Sequence, residues 1–177
     1  MTVAESNICT INLTVNGTAQ RARVEPRRTL LDCLRDDLFF PGTHVGCEHG
    51  VCGCCNVIVD GALVRSCLML AVQADGSSIE TIEGLGSKDE LSPVQEAFCA
   101  HHAMQCGYCT PGMIMTLEDL LRANPQPTEE ELVEALSGNL CRCTGYQQIL
   151  QAARSVIVGR DAKARDAKAR DAKAGSA

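Results

Sequence analysis

The sequence predicts an α+β protein in two parts, a small strand-rich domain followed by a helical one, and three observations carry that reading. Early in the chain apolar residues alternate, as at Ile11, Leu13 and Val15, the period-two pattern of strands with one face on a core. Past Glu83 the alternation gives way to capping residues and helical spacing, which marks a change of structural class. Finally, 45% of the 177 residues are apolar, yet there are only two Tyr, three Phe and no Trp, so the core is aliphatic. Twelve Cys, by contrast, is far above ordinary usage.

The elements follow in order. Ile8 to Val15 and Thr18 to Val24 flank Asn16-Gly17 and read as a β-hairpin. Thr29 can cap a helix in which Leu30, Leu31, Leu34 and Leu38 recur at three- and four-residue spacing before Pro41-Gly42 breaks it. A Gly- and Cys-rich loop runs from Gly42 to Cys55; Asn56 to Asp60 and Ala62 to Ser66 then flank an Asp60-Gly61 turn, and Ser78 to Ile82 is a last short strand. Strands around one helix place an α+β domain at residues 1–82. Gly84-Leu85-Gly86-Ser87 reads as a linker, and Ser92-Pro93-Val94-Gln95 as a helix start with Pro at the first position and a capping-box Gln. Thr110-Pro111 opens a segment to about Ala123, Thr128 with Glu131 forms a second capping box, Gly138 is a stop, and Tyr146 to Val158 is amphipathic. These four segments predict a compact helix bundle over residues 83–159. From Arg160 to Ala174 the run Arg-Asp-Ala-Lys-Ala occurs three times. A five-residue period turns by about 140° per repeat on a helix, so no single face is apolar, and residues 160–177 read as a low-complexity, solvated charged tail, with a partner-docking arm as the alternative.

Composition excludes several functions. Acidic residues exceed basic ones by 22 to 16 with no aromatic-basic interleaving, which rules out a phosphate-tracking nucleic-acid surface. The N-terminus lacks a signal-peptide pattern, and no run of about 18 apolar residues could form a membrane span. The expectation is a soluble, cytoplasmic chain, in which thiols stay reduced and clustered cysteines bind metal rather than one another. There is no P-loop, no G-x-G-x-x-G after a strand, no H-E-x-x-H and no G-x-S-x-G, so the chain carries no substrate chemistry of its own.

The cysteines fall into two sets. Cys47-x4-Cys52-x2-Cys55, followed after eleven residues by Cys67, has the plant-type ferredoxin spacing, which suits four thiolates around a 2Fe-2S core. Gly46, Gly50 and Gly53 let the loop turn its amides inward toward the sulfurs. Three ligands would come from one loop and Cys67 from across the sheet. Cys54 would spoil the x2 spacing and is read as a packed small residue. The second set is Cys106-x2-Cys109 with Cys141-x-Cys143, both expected at helix N-termini, where free N–H groups favour anionic thiolates. Zinc also takes four thiolates, so spacing alone leaves a zinc-stabilised binding module with a single 2Fe-2S cluster open as the alternative. A Rieske centre needs two His on one iron, and Cys47-x-His49 and Cys99-x2-His102 lie in opposite halves of the chain. His44, His49, His101 and His102 are therefore expected to be solvated or to support the ligands from outside. Cys9, Cys33 and Cys99 are isolated and read as small buried hydrophobes.

Three runs then carry a resemblance: Gly42-Thr43-His44-Val45-Gly46-Cys47-Glu48-His49-Gly50-Val51-Cys52-Gly53; Gln105-Cys106-Gly107-Tyr108-Cys109-Thr110-Pro111-Gly112-Met113; and Gly138-Asn139-Leu140-Cys141-Arg142-Cys143-Thr144-Gly145-Tyr146. Over about residues 8 to 158 the chain resembles the iron-sulfur subunit of the xanthine oxidase family of molybdenum hydroxylases. The resemblance implies a β-grasp, ferredoxin-like domain and then a four-helix bundle domain, each with one 2Fe-2S cluster, in an electron-transfer subunit. It also implies a large subunit holding molybdopterin, often as the cytosine dinucleotide, and a medium subunit holding FAD, assembled as a dimer of heterotrimers. Cys106, Cys109, Cys141 and Cys143 would hold the cluster nearer molybdenum, and Cys47, Cys52, Cys55 and Cys67 the one nearer flavin. Gln105 would contact the molybdopterin, with Cys143 close to it. No residue of this chain would be catalytic, and substrate selectivity would lie in the large subunit. Two positions depart from the family: Cys54 stands where Ala is usual and Asn56 where Thr is common. Neither removes a ligand.

Overall fold

The structure, a computed structural model, describes residues 7–87 and 89–159. The charged repeat expected from Arg160 onward lies outside the described residues.

Strands β1 (Cys9–Val15) and β2 (Thr18–Val24) form the predicted antiparallel hairpin, with Val15 opposite Thr18. Asn16 and Gly17 both take positive φ, at 51° and 77°, the requirement of a two-residue hairpin turn whose twist matches the strands. Strands β3 (Asn56–Val59) and β4 (Ala62–Arg65) make a second hairpin, and β5 (Ser78–Glu80) completes a five-stranded sheet in the order β2-β1-β5-β3-β4. The β1–β5 pair is parallel and the other pairs are antiparallel. One face of the sheet buries Ile11, Leu13, Val15, Val24, Val57, Val59 and Ile79 against Leu30 and Leu34. That face is the core of the first half.

The helix expected after Thr29 is shorter than its leucine spacing predicts. Thr29 does cap it, accepting from the Asp32 amide, but α1 (Leu30–Asp32) widens at once into a π-helical segment, Cys33–Asp37. The cause is visible in the exit: the Leu38 amide reaches Cys33 O at 3.0 Å, and Phe40 N reaches Leu34 O at 2.8 Å. Arg35 then ties this turn to the next loop by donating to the carbonyls of Pro41 and Thr43, each at 2.6 Å.

Beyond residue 90 the helices are α2 (Pro93–Ala100), α3 (Thr110–Ala123), α4 (Glu129–Ser137) and α5 (147–159). Both predicted capping boxes form, Ser92 with Gln95 and Thr128 with Glu131, each satisfying two otherwise orphaned N–H groups. Gly138 ends α4 as expected. Val94, Phe98, Met113, Leu117, Leu121, Leu132, Leu136, Ile149 and Val156 share one core. Cys33 is buried, as expected of a small hydrophobe, and Cys9 is half-buried. Cys99 is exposed: Val94, Ala97 and Phe98 are the core-facing residues of α2, and the next residue falls about 100° away on the solvent side.

The two halves pack directly. Strand β3 is buried at all four positions, because Val57 and Val59 pack with Leu30 and Leu34 while α3 lies across β3 and β4. Arg122 of α3 also makes a two-pronged ion pair with Glu80 of β5, at 2.9 and 2.7 Å. Among the described residues no helix is long and apolar enough to cross a membrane.

Candidate metal centres

The first cysteine set gathers where the β3–β4 hairpin opens. Cys55 immediately precedes β3 and Cys67 follows β4, and Ser66, between β4 and Cys67, bonds Cys55 O through both its amide (3.3 Å) and its hydroxyl (2.7 Å). Cys55 and Cys67 are thereby brought together and packed with Leu31 and Val45. Burial, with the Cys55 thiol beside it, pushes Cys67 up to about 11. Cys47 and Cys52 form the outer pair: the Cys52 amide donates to Cys47 Sγ at 3.3 Å. That amide first, then the His49 amide, pulls the Cys47 thiol down to about 6, which favours the thiolate form that binds metal.

The glycines predicted to shape this loop do so by lacking side chains. A Cβ on Gly46 would stand 2.7 Å from Cys52 Sγ, inside van der Waals contact. Gly53 takes φ 73° and faces the Asn139 side chain, which a Cβ would meet at 2.7 Å. Cys54 is buried beside Cys52, and burial, reinforced by Cys52, pushes its thiol up to about 12. It is a packed small residue, as the spacing suggests.

The second set also assembles in twos. Cys143 Sγ donates to Cys106 Sγ at 3.4 Å, and both are exposed. The Tyr108 amide and the Cys143 thiol hold Cys106 below its ordinary value. Cys109 is buried against Cys141, and burial pushes it up to about 12. Burial works against ionisation at Cys141, but the Thr144 hydroxyl and amide outweigh it and hold that thiol low. Cys109 sits at the N-terminal boundary of α3, as expected. Cys141 and Cys143 differ from expectation: α5 begins only at residue 147, and the intervening turn is held instead by Tyr146, whose hydroxyl accepts from Cys141 N at 2.9 Å and donates to Asn139 O at 3.2 Å. With φ at 67° for Tyr146 and 63° for Gly145, this segment is a tight loop, which capping rules do not anticipate. Gln105 is exposed next to the Cys106–Cys143 pair.

The eight thiols thus sort as Cys47 with Cys52, Cys55 with Cys67, Cys106 with Cys143, and Cys109 with Cys141. Two thiols per metal and two metals per site is the demand of a 2Fe-2S core, and this donor set fits it.

Several side chains join the two sites, among them Arg65 and Thr116, which sequence reasoning passed over. Arg65 donates from Nε to Gly50 O at 3.2 Å, from Nη1 to Asn56 Oδ1, and from Nη2 to Gly138 O at 2.7 Å. Asn56 Nδ2 donates to Thr116 Oγ1 at 2.8 Å, and Asn139 Oδ1 accepts from Thr116 Oγ1 at 3.0 Å. The ring of His44 stacks on Tyr108, with centroids 4.7 Å apart. Because the Tyr108 carbonyl 2.8 Å from His44 Nδ1 can only accept, that nitrogen carries the proton. The Tyr108 hydroxyl donates to Val45 O. Gly112 was the available signal: a glycine in the first turns of a helix costs about 1 kcal/mol against alanine, so it marks a close approach, and here Gly53 O would lie 2.1 Å from its Cβ.

Comparison with known proteins agrees with this geometry. Residues 13–81 match the 2Fe-2S iron-sulfur cluster binding domain, and residues 81–154 match a second family described as a 2Fe-2S binding domain. The chain is 56% identical over 151 residues to the nicotine 6-hydroxylase small subunit of Paenarthrobacter nicotinovorans, covering 85% of this chain and 91% of that one. It is 54% identical over 149 residues to the caffeine dehydrogenase subunit gamma of a Pseudomonas strain, covering 82% and 89%. In structure it is similar to a chain of quinoline 2-oxidoreductase from Pseudomonas putida 86, with TM-score 0.83 and 48% identity over 88% of this chain and 97% of that one. Thiols gathered in pairs, two matching 2Fe-2S binding families and relatives of nearly the same length lead to one conclusion: the chain belongs to the iron-sulfur small subunits of the xanthine oxidase family of molybdenum hydroxylases, and is an electron-transfer oxidoreductase subunit.

Proposed function

We propose that this subunit relays electrons through two 2Fe-2S clusters from the molybdopterin centre of a large subunit to FAD of a medium subunit. Cys47, Cys52, Cys55 and Cys67 hold the first cluster in a β-grasp domain, residues 1–82. Cys106, Cys109, Cys141 and Cys143 hold the second in a four-helix bundle, residues 83–159, and residues 160–177 form an appended tail. When bound, each cluster supplies a one-electron carrier between a two-electron centre and the flavin. The pterin is of the cytosine dinucleotide form, Gln105 hydrogen-bonds it, and the assembly is a dimer of heterotrimers in the cytoplasm.

The observation that carries this reading is the graded exposure of the paired thiols. Cys106 and Cys143 are open to solvent, while Cys109 behind them is buried and packs in one core with Cys54, Cys52 and Cys141. A line of sulfur-bearing residues therefore runs from an exposed face of the second site, through the shared core, to the first. Exposed Gln105 supports docking of the molybdenum-bearing partner at that outer face.

Anaerobic reconstitution of the full chain tests the proposal. The expected result is four irons per chain and two distinct paramagnetic signals after dithionite. Two irons with one signal and one bound zinc would instead favour a metal-stabilised binding module.

A further inference from the structure

Arg65 is the last residue of β4, two positions before Cys67. Its guanidinium spends all three kinds of nitrogen on three different segments: Nε on Gly50 O, inside the Cys47–Cys52 loop; Nη1 on Asn56 Oδ1, next to Cys55; and Nη2 on Gly138 O, three residues before Cys141. The fit at the last contact is close, since a Cβ on Gly138 would stand 3.0 Å from Nη2. All three acceptors are neutral amide oxygens. Among the described residues the ion pairs of Arg27, Arg28, Arg122 and Arg154 use carboxylates, and Arg65 makes none. An arginine is always charged, so a half-buried cation without a carboxylate partner is held between the two cysteine loops.

Such a charge is costly to desolvate without a counter-ion, and the arrangement makes sense once the thiol sites are metallated. Four thiolates and two sulfides leave an oxidised 2Fe-2S centre with a net charge of about −2, and reduction adds one more negative charge. A fixed positive charge attracts the reduced form more than the oxidised form, and does so more strongly away from bulk water. We propose that Arg65 is the shared counter-charge of the two cluster sites: tied to both ligand loops and to no carboxylate, it raises the reduction potential of each centre. This rests on the two-cluster reading above. Arg65 is a positioning and tuning residue, touching neither substrate nor any thiol directly. The first site should feel it more, because Arg65 contacts the Cys47–Cys52 loop, borders the residue after Cys55 and lies two positions from Cys67. The second site is reached only through Gly138.

The test uses the full chain, reconstituted anaerobically, in the wild type and in Arg65→Gln and Arg65→Lys, with potentials read by redox titration followed by electron paramagnetic resonance. The wild type must first hold four irons and give two signals; failure at that stage refutes the two-cluster reading and is recorded before any variant is compared. With both clusters present, Arg65→Gln is expected to move both potentials negative, the first cluster's further, while Arg65→Lys stays near the wild type although it has lost the three-way fork. Unchanged potentials in Arg65→Gln overturn the proposal, as does an equal negative shift in Arg65→Lys, which would show that geometry rather than charge is responsible. If Arg65→Gln fails to take up iron, loading and wild-type potentials in Arg65→Lys support the proposal. Failure of both variants to load assigns the residue to folding alone and overturns it.

Discussion

The amide of Leu140 donates to the carbonyl of Cys52 at 2.9 Å, so the residue before Cys141 in one thiol loop is bonded directly to a thiol-bearing residue of the other. The Leu140 side chain is 52% exposed, and by side-chain burial alone its amide would be read as open to water. The bond predicts the reverse. Hydrogen exchange of the Leu140 amide should be at least roughly tenfold slower than that of Arg142 in the same loop, because opening it requires the two halves to separate locally. Equal exchange at the two positions would mean that the loops are not held together by this bond.

Helix α3 lies on the first cysteine loop through two glycines, Gly112 and Gly53. A methyl group at Gly112 would fall 2.1 Å from Gly53 O, with the Cys54 backbone 3.0 Å away, and backbone cannot swing aside as a side chain can. Gly112→Ala should therefore destabilise the chain by about 1–3 kcal/mol or more, despite improving helix propensity. Gly159→Ala is the control: nothing lies within 4 Å of its Cβ, so the change should stay within about 0.5 kcal/mol. Thermal unfolding of the two variants makes the comparison.

Between the sheet and the helices Asn56, Thr116 and Asn139 are buried polar residues that satisfy one another. Thr116→Val keeps the shape but removes the hydroxyl, leaving Asn56 Nδ2 and Asn139 Oδ1 only their longer 3.4 Å contact with each other. The expected loss is about 1–3 kcal/mol, seen as a lower urea midpoint with an unchanged slope.

These residues also show where sequence reading stops. The hairpin at Asn16-Gly17 and the caps at Ser92 and Thr128 are local chemistry, complete within four residues, and they were legible. The x4, x2 spacing was legible because three donors on one short loop leave few arrangements. Arg65 and Asn139 were not, since their meaning lies in contacts 73 and 83 positions away along the chain, with Gly138 and Asn56 respectively. The π-helical turn after Leu30 escaped for a similar reason: leucine spacing reports which face is buried, while Arg35 and the following loop decide how the helix exits. In the Cys141–Cys143 turn, Tyr146 replaces the expected helix end through a hydroxyl that no periodicity reveals.

The Glu80–Arg122 pair joins β5 to α3 at the surface. Its hydrogen bonds hold the Glu80 carboxyl below its ordinary range, so the pair's contribution is full above the ordinary carboxylate pKa and fades as pH falls through the lower, folded-state value. Both side chains are more than a third exposed, at 40% for Glu80 and 44% for Arg122, which limits the effect to about 1 kcal/mol or less. Glu80→Gln should lower the unfolding midpoint slightly at neutral pH and match the wild type well below the carboxylate range. High salt should shrink the neutral-pH difference.

Cys54 and Cys55 are adjacent, both buried, and differ in what they face. Cys55 meets Cys67 at the mouth of the hairpin, whereas Cys54 packs into the helical core, where burial keeps its thiol protonated with a value near 12. Burial does not set it apart, since Cys109 is pushed as high; what does is that its neighbours are already matched, Cys52 with Cys47 and Cys55 with Cys67. Cys54→Ala should therefore retain the wild-type iron content and both paramagnetic signals, at a stability cost of about 1 kcal/mol for the small cavity left by one sulfur. Cys55→Ala should lose the first cluster and keep the second. If Cys54→Ala instead halves the iron content, the ligand set of the first site shifts by one residue, and the x2 spacing that led to it no longer describes the loop.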